Sequence, residues 1–169
     1  MSILKHEHLF DLAQRLAASP PIRSPRQVDL RRAISSAYYG LFHFMLAALA
    51  DEFVGTSQRR TRRYGLVYRS VEHRTLREIC TEAAKQAPAK RYLAYLPPTG
   101  FGPDIQVFAR AALELQEARH GADYDPLLSF TSWDAKVAVE AARTAVGCFA
   151  GSGRERKKIF LTLLLCPPR

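Results

Sequence analysis

The sequence predicts an all-α protein, built as an antiparallel up-and-down helical bundle of about five helices. Three observations predict it. Apolar residues recur at steps of three and four in separate stretches, the repeat of a helix with one buried face. No stretch alternates apolar and polar residues as a half-buried strand does. Prolines fall between the periodic stretches, where they end helices and stiffen connections. The chain has 169 residues, enough for one domain with a real core.

The first helix is expected over 3–18, with Leu9, Leu12, Ala13, Leu16 and Ala17 facing inward. Pro20, Pro21 and Pro25 end it. The second, over 27–51, has the clearest repeat. Leu30, Ile34, Ala37, Tyr38, Leu41, Met45, Leu46, Ala48 and Leu49 follow the helical spacing, and no proline interrupts them. A loop carrying the basic string QRRTRR at 58–63 comes next. The third helix is expected over 67–87, with a break near His73. Val71, Leu76, Ile79, Cys80 and Ala83 form its apolar side, and Pro88 stops it. LPPTGFGP at 96–103 is a loop by composition.

The fourth helix is expected over 104–119, burying Ile105, Phe108, Ala112, Leu115 and Ala118. Gly121 is a suitable stop, with ADYDP at 122–126 as a turn. The fifth, over 132–150, has Thr131 or Ser132 as cap and Asp134 in its first turn. Its expected core face is Trp133, Val137, Ala141, Ala145, Val146 and Phe149. The bundle therefore occupies 1–150. Residues 151–169 read as a basic and apolar C-terminal tail, GSG then RERKK then IFLTLLL. Docking, pairing with another chain and mobility are all open to it.

Composition narrows the function classes. Apolar residues make up 47% and charged residues 24%, which sets the chain apart from disordered proteins. The net charge of +9 favours anionic partners: RNA, DNA, nucleotides or acidic surfaces. The three cysteines, Cys80, Cys148 and Cys166, are far apart and read as free thiols, two of them buried, which fits a reducing cytoplasm. The first residues do not read as a signal peptide, and the longest apolar run, 159–166, is too short for a bilayer, so no membrane association is expected. Walker, GxGxxG, HExxH, paired CxxC and GxSxG motifs are absent, so neither a metal nor a cofactor is expected. His6 and His8 point to different helical faces and are read as solvated.

Two constellations carry candidate chemistry. On the second helix Arg32, Ser36, Tyr39 and His43 recur at steps of four, three and four, forming a polar stripe beside the apolar face. Such a stripe is either a seam bonded to neighbouring helices or one wall of an anion-binding cleft, with Arg for phosphate and Tyr and His for bonding or stacking. The second is Arg119, His120, Asp123 and Tyr124, at an expected helix end and turn. There Arg119 and Asp123 either form an ion pair that pins the turn or converge with their neighbours on a groove. Arg69 and His73, spaced i, i+4, are expected to share a face in a surface network with Glu72.

Three stretches carry a resemblance: LRRAISSAYYGLFHFMLAAL at 30–49, VYRSVEHRTLREIC at 67–80 and ARHGADYDP at 118–126. In the AYYGLFH string and the R-x-x-x-D-Y turn the sequence resembles the HEPN family, in particular its small bacterial members. The resemblance implies a helical bundle that pairs as a two-fold homodimer, with a cleft near the contact. It implies action on RNA, as a metal-independent endoribonuclease of a toxin or defence system, with Arg119 and His120 as catalytic candidates. The imidazole would move a proton between the 2′-hydroxyl and the leaving oxygen, and the guanidinium would hold the phosphoryl charge. Arg32, Ser36, Tyr39, His43, Asp123 and Tyr124 are the substrate-binding candidates. The alternative is a non-catalytic module that binds a nucleotide or a protein partner such as a nucleotidyltransferase-like antitoxin. The family's signature is Arg, four to six residues, then His. Here the position five residues after Arg119 is Tyr124, and His120 is adjacent to Arg119.

Overall fold

The computed structural model describes residues 4–18 and 26–168. Among these, eight α-helices and one 3₁₀ turn, Thr56–Gln58, form a helical bundle with no strand. The helices are α1 (His6–Ala17), α2 (Gln27–Phe53), α3 (Arg62–Tyr68), α4 (His73–Ala83), α5 (Lys90–Leu93), α6 (Pro103–Tyr124), α7 (Ser132–Gly151) and α8 (Arg154–Leu165). Residue 3 and the prolines at 20, 21 and 25 lie outside the described residues.

Helix α2 is the axis of the bundle. It packs against α1, α6, α7, α3 and α8. Its fully buried residues include Leu30, Ala33, Ile34, Ala37, Tyr38, Leu41, Met45 and Leu49, so it is apolar on more than one face. By length and composition α2 is apolar enough to cross a membrane, but here its apolar surface is what the other helices cover. Gly40 permits a close approach. A Cβ there would stand 2.4 Å from a ring carbon of Phe10, so the missing side chain lets α1 seat Phe10 on α2. Phe10 thus takes the inward place expected of Leu12, which is exposed.

The expected break near His73 is present. Arg69 to Glu72 are not helical, α4 starts at His73, and α3 lies mostly on residues 62–66, ahead of the stretch where the third helix is expected. Arg69 and His73 therefore do not share a helical face: Arg69 Nε donates to the Gly65 carbonyl at 3.0 Å. The apolar side of α4 is as expected, with Leu76, Ile79, Cys80 and Ala83 buried. Cys148 is half-buried and Cys166 exposed, so Cys80 alone of the three is a fully buried thiol.

Helix α6 runs past Gly121 to Tyr124, where a turn was expected. Gly121 is needed for a different reason. A Cβ there would lie 2.7 Å from Leu128 Cδ1, so the glycine makes room for the following loop to fold back. Pro126 supplies the stop, because the residue before a proline avoids the helical region and Asp125 is extended.

Helix α7 begins at a capping box. The Thr131 hydroxyl accepts from the Asp134 N–H, and the Asp134 carboxylate accepts from the Thr131 N–H at 2.7 Å. The hydrogen bonds from Thr131 lower the Asp134 pKa. Its core face is rotated from expectation: Ala135, Ala138, Val139, Ala142, Ala145 and Phe149 are buried. Trp133 is 73% exposed and Val137 is also exposed. Apolar residues surround this helix, so spacing alone does not select a face. Close packing favours the alanine stripe, which admits α2 and α6 at short range.

The C-terminal segment docks. Helix α8 buries Phe160, Leu161, Leu163 and Leu164 in the common core, where the Phe160 ring meets Phe101, Phe108 and Phe149 at 5.5–6.1 Å. Replacing Phe160 by alanine is expected to cost about 3–5 kcal/mol. The thermal midpoint should fall by roughly 6–20 °C. A midpoint within a degree or two of the parent, read by circular dichroism, contradicts this account of α8.

Candidate functional site

The polar side chains of α2 lie on a row with a step of four: Arg31, Ser35, Tyr39, His43 and, two steps on, Asp51. Because 3.6 residues complete a turn, such a row drifts slowly around the helix and stays near one line of contact. Every member has a partner on another element. Arg31 Nη1 donates to the Ala122 carbonyl at 2.9 Å, and Nη2 to Asp125 at 2.9 Å and to Leu128. Gln27, one turn earlier, exchanges two hydrogen bonds with the Phe130 backbone at 2.7 and 2.9 Å. The loop after α6 is thereby stapled to the start of α2.

Next along the row, the Ser35 hydroxyl donates to Asp123 Oδ1 at 2.5 Å. Arg119 Nε lies 2.8 Å from Asp123 Oδ2, with the two side chains only 17% and 20% exposed. That N–H is not aimed at the carboxylate and makes no hydrogen bond, so the contact is Coulombic. Arg119 Nη2 donates to the Tyr39 hydroxyl at 2.6 Å. The guanidinium carbon sits 5.3 Å from the Tyr39 ring centre and 5.4 Å from that of Tyr124, a cation held between two aromatic faces. Burial works against its charge, but Tyr39 and Asp123 outweigh this and raise the Arg119 pKa.

Beyond Tyr39 the row enters an aromatic and imidazole cluster. His73, at the start of α4, shares a hydrogen bond of 2.7 Å with the Tyr38 hydroxyl and lies 4.0 Å from the Phe42 ring centre. His43 shares one of 2.8 Å with Tyr68 of α3. Burial lowers the pKa of both imidazoles, helped by His73 acting on His43 and by Arg119 acting on His73. Burial also raises the Tyr38 and Tyr68 hydroxyl pKa values, so phenol and imidazole stay neutral partners. Asp51 closes the row. It accepts from Tyr64 at 2.9 Å and from Arg59 at 2.9 and 2.5 Å. Burial, then the bond to Asp51, pushes the Tyr64 pKa up to about 12.

The expected site residues divide accordingly. Tyr39, His43, Arg119 and Asp123 belong to the network, and Tyr124 covers Arg119 while remaining 64% exposed. Arg32 is exposed and has no described partner. Ser36 is buried and takes no part in the network. The chemistry expected of these two falls to Arg31 and Ser35, one residue earlier, and stepping back by four from Tyr39 finds them. His120 is exposed. Its ring lies 5.0 Å from that of Tyr124, which also covers Arg119, and it lines a groove with Gly121, Pro126, Leu128 and Phe130. Adjacent helical residues diverge by about 100°, which separates His120 from Arg119. The closeness of His73 to Arg119 arises between helices, so no spacing in the sequence reports it. His6, expected in solvent, is half-buried with its ring edge against Phe10 and Phe44. No group of three or more His, Cys, Asp or Glu side chains among the described residues is arranged to hold a metal ion.

The fold and this site together define the class as an all-α bundle with a buried Arg–Tyr–His seam. No protein-family model matches the chain, nor does any curated protein or solved structure.

Two outcomes follow from the seam. Asp123→Asn removes the charge facing a largely buried guanidinium, at an expected cost of about 1–3 kcal/mol in urea unfolding. A change below a few tenths would show that the pair is idle. The second outcome concerns pH. The His6, His43 and His73 pKa values are all lowered by burial in the folded chain. As pH falls, the unfolded chain takes up these protons first, near about 6.5. Stability is therefore complete above that pH and is lost below it. The urea midpoint should drop between pH 7.5 and 5, and the His43→Gln, His73→Gln double variant should flatten the slope. An equal slope in both proteins refutes the assignment.

Proposed function

We propose that this chain is an HEPN-type RNA-binding module, an up-and-down antiparallel bundle that holds single-stranded RNA without cleaving it. The carrying observation is the contrast between two sets of arginines. Arg119 is engaged by Asp123, Tyr39 and Tyr124, while Arg60, Arg62 and Arg63 are exposed with no described partner. A guanidinium tied to a carboxylate has little attraction left for a phosphoryl group, and the exposed imidazole of His120 has its described ring contact with Tyr124 rather than with the guanidinium. The free arginines supply charges for the RNA backbone, in keeping with the net charge of +9. The resemblance of the AYYGLFH string and the R-x-x-x-D-Y segment to HEPN proteins supports the RNA class, a cytoplasmic setting and a two-fold homodimer.

The second reading, a metal-independent ribonuclease, has one observation in its favour. Arg119 and His73 both touch Tyr39, so an Arg and a neutral imidazole meet there in space though not in sequence. A single assay separates the readings: labelled single-stranded RNA and tRNA incubated with the protein in EDTA. The binding reading expects retained, intact RNA. It also expects log affinity to fall with log salt, by a slope about 2 units shallower in the Arg60, Arg62, Arg63→Ala variant. Metal-free cleavage lost in Arg119→Ala or His73→Ala would establish the second reading instead. The absence of any RNA affinity at low salt would end both.

A further inference from the structure

The packing of α1 on α2 leaves a groove at one end. The Phe10 ring of α1 sits on Gly40 of α2. Towards the start of α1 and the end of α2 a groove of about 960 Å³ opens between them, with the 59–64 segment as its third wall. Phe44, Ala47, Ala48 and Tyr64 line its apolar part. Two consecutive alanines keep the surface of α2 low beside the half-buried Phe44 ring, while the Tyr64 side chain is fully buried. The volume falls within the range of small-ligand clefts.

The charges around this groove are unequally engaged. Of its carboxylates, Asp51 is held by Arg59 and Tyr64, and Asp11 by Arg143 at 2.9 Å. Glu7 lies 3.4 Å from His6. Lys5 and Arg60, also on the wall, are exposed and have no described partner. Beyond Arg60 the exposed Arg62 and Arg63 continue the basic edge away from the groove.

We infer that this groove holds one unstacked base of a single-stranded RNA, with the flanking phosphates on Lys5 and Arg60 and the strand continuing along Arg62 and Arg63. The inference rests on the RNA-binding reading and adds where and how the strand is gripped. A planar base suits a slot over small residues beside the half-buried Phe44 ring, and every base has a face that stacks. Free cations at the mouth suit the phosphates on either side of it. A duplex, whose bases are already stacked, cannot enter.

The test is fluorescence anisotropy at fixed salt with four labelled probes. They are a ten-nucleotide RNA, its duplex, the same strand abasic throughout, and an abasic strand with one central base restored. The full strand should bind about tenfold tighter than the duplex or the abasic strand, and the single base should recover most of that difference. Lys5→Ala with Arg60→Ala should weaken the full and abasic strands alike. Ala48→Leu, which narrows the slot, should weaken only base-bearing strands. If that variant loses its cooperative melt, the four probes on the unaltered protein decide alone. Equal affinity for base-bearing and abasic strands overturns the groove and leaves RNA binding standing. No affinity for any strand overturns the RNA-binding reading itself.

Discussion

The burial of α2 is the constraint from which most of the structure follows. A helix covered by five neighbours cannot leave polar side chains unsatisfied, because each unmet group costs about 1–3 kcal/mol. Its polar residues therefore have to be met from outside, and the step-of-four row fixes where. Arg31 calls for the carbonyls of the loop after α6, Ser35 and Tyr39 for Asp123 and Arg119 of α6, His43 for Tyr68 of α3. The same row that makes α2 tolerable in a core sets the register of α6 and α3 against it. Stability and site geometry rest here on one set of bonds.

The sequence made the helices legible but not their rotation. Repeats of three and four locate α2, α4, α6 and α7, and residue type narrows the α7 cap to Thr131 or Ser132 with Asp134 in the first turn; the structure uses Thr131. The face of α7 is not readable in this way, because Trp133 and Val137 compete with the alanine stripe at the same spacing and only packing against α2 and α6 decides. The end of α6 is not legible, because Gly121 looks like a stop whereas its role is to admit Leu128. In the site, the stripe through Tyr39 and His43 was visible, but its phase was ambiguous between the adjacent pairs Arg31–Arg32 and Ser35–Ser36. Helix periodicity tolerates steps of three or four, and the location of Asp123 resolves the choice. His73 was invisible as a neighbour of Arg119, since α4 and α6 meet only through the tertiary fold.

Electrostatics divides the molecule in two. Inside the seam, Arg119 is matched by Asp123 and the imidazoles beside it are driven neutral, while Arg31, bonded to backbone carbonyls, keeps its charge. Most of the excess of +9 then resides on the surface. Part of that surface charge is also matched: Arg26 by Asp29, Arg74 by Glu78 and Arg143 by Asp11. What remains without a carboxylate partner is unevenly distributed, gathered in the 60–63 string and in the 154–158 run, where Arg156 and Lys157 bond Thr99 and the Ala150 carbonyl. Exposed pairs add little to stability, so a run of unmatched arginines has no evident structural purpose. Its consequence is a local positive field that draws polyanions.

The seam and the groove share a boundary, and this links them. Asp51 and Tyr64 close the polar row of α2, and the same two residues line the groove beside α1. The bidentate bond from Arg59 to Asp51 anchors the start of the basic string at that boundary, which leaves Arg60 at the mouth. Were Asp51 absent, Arg59 would be released and the Tyr64 hydroxyl would keep only a 3.3 Å contact with the Ala47 carbonyl. The groove wall is thus held by the same kind of satisfied, partly buried polar contact that fixes α6 further along. A ligand entering beside Phe44 would meet a wall already set by the fold of α2, and little ordering would be needed to receive it.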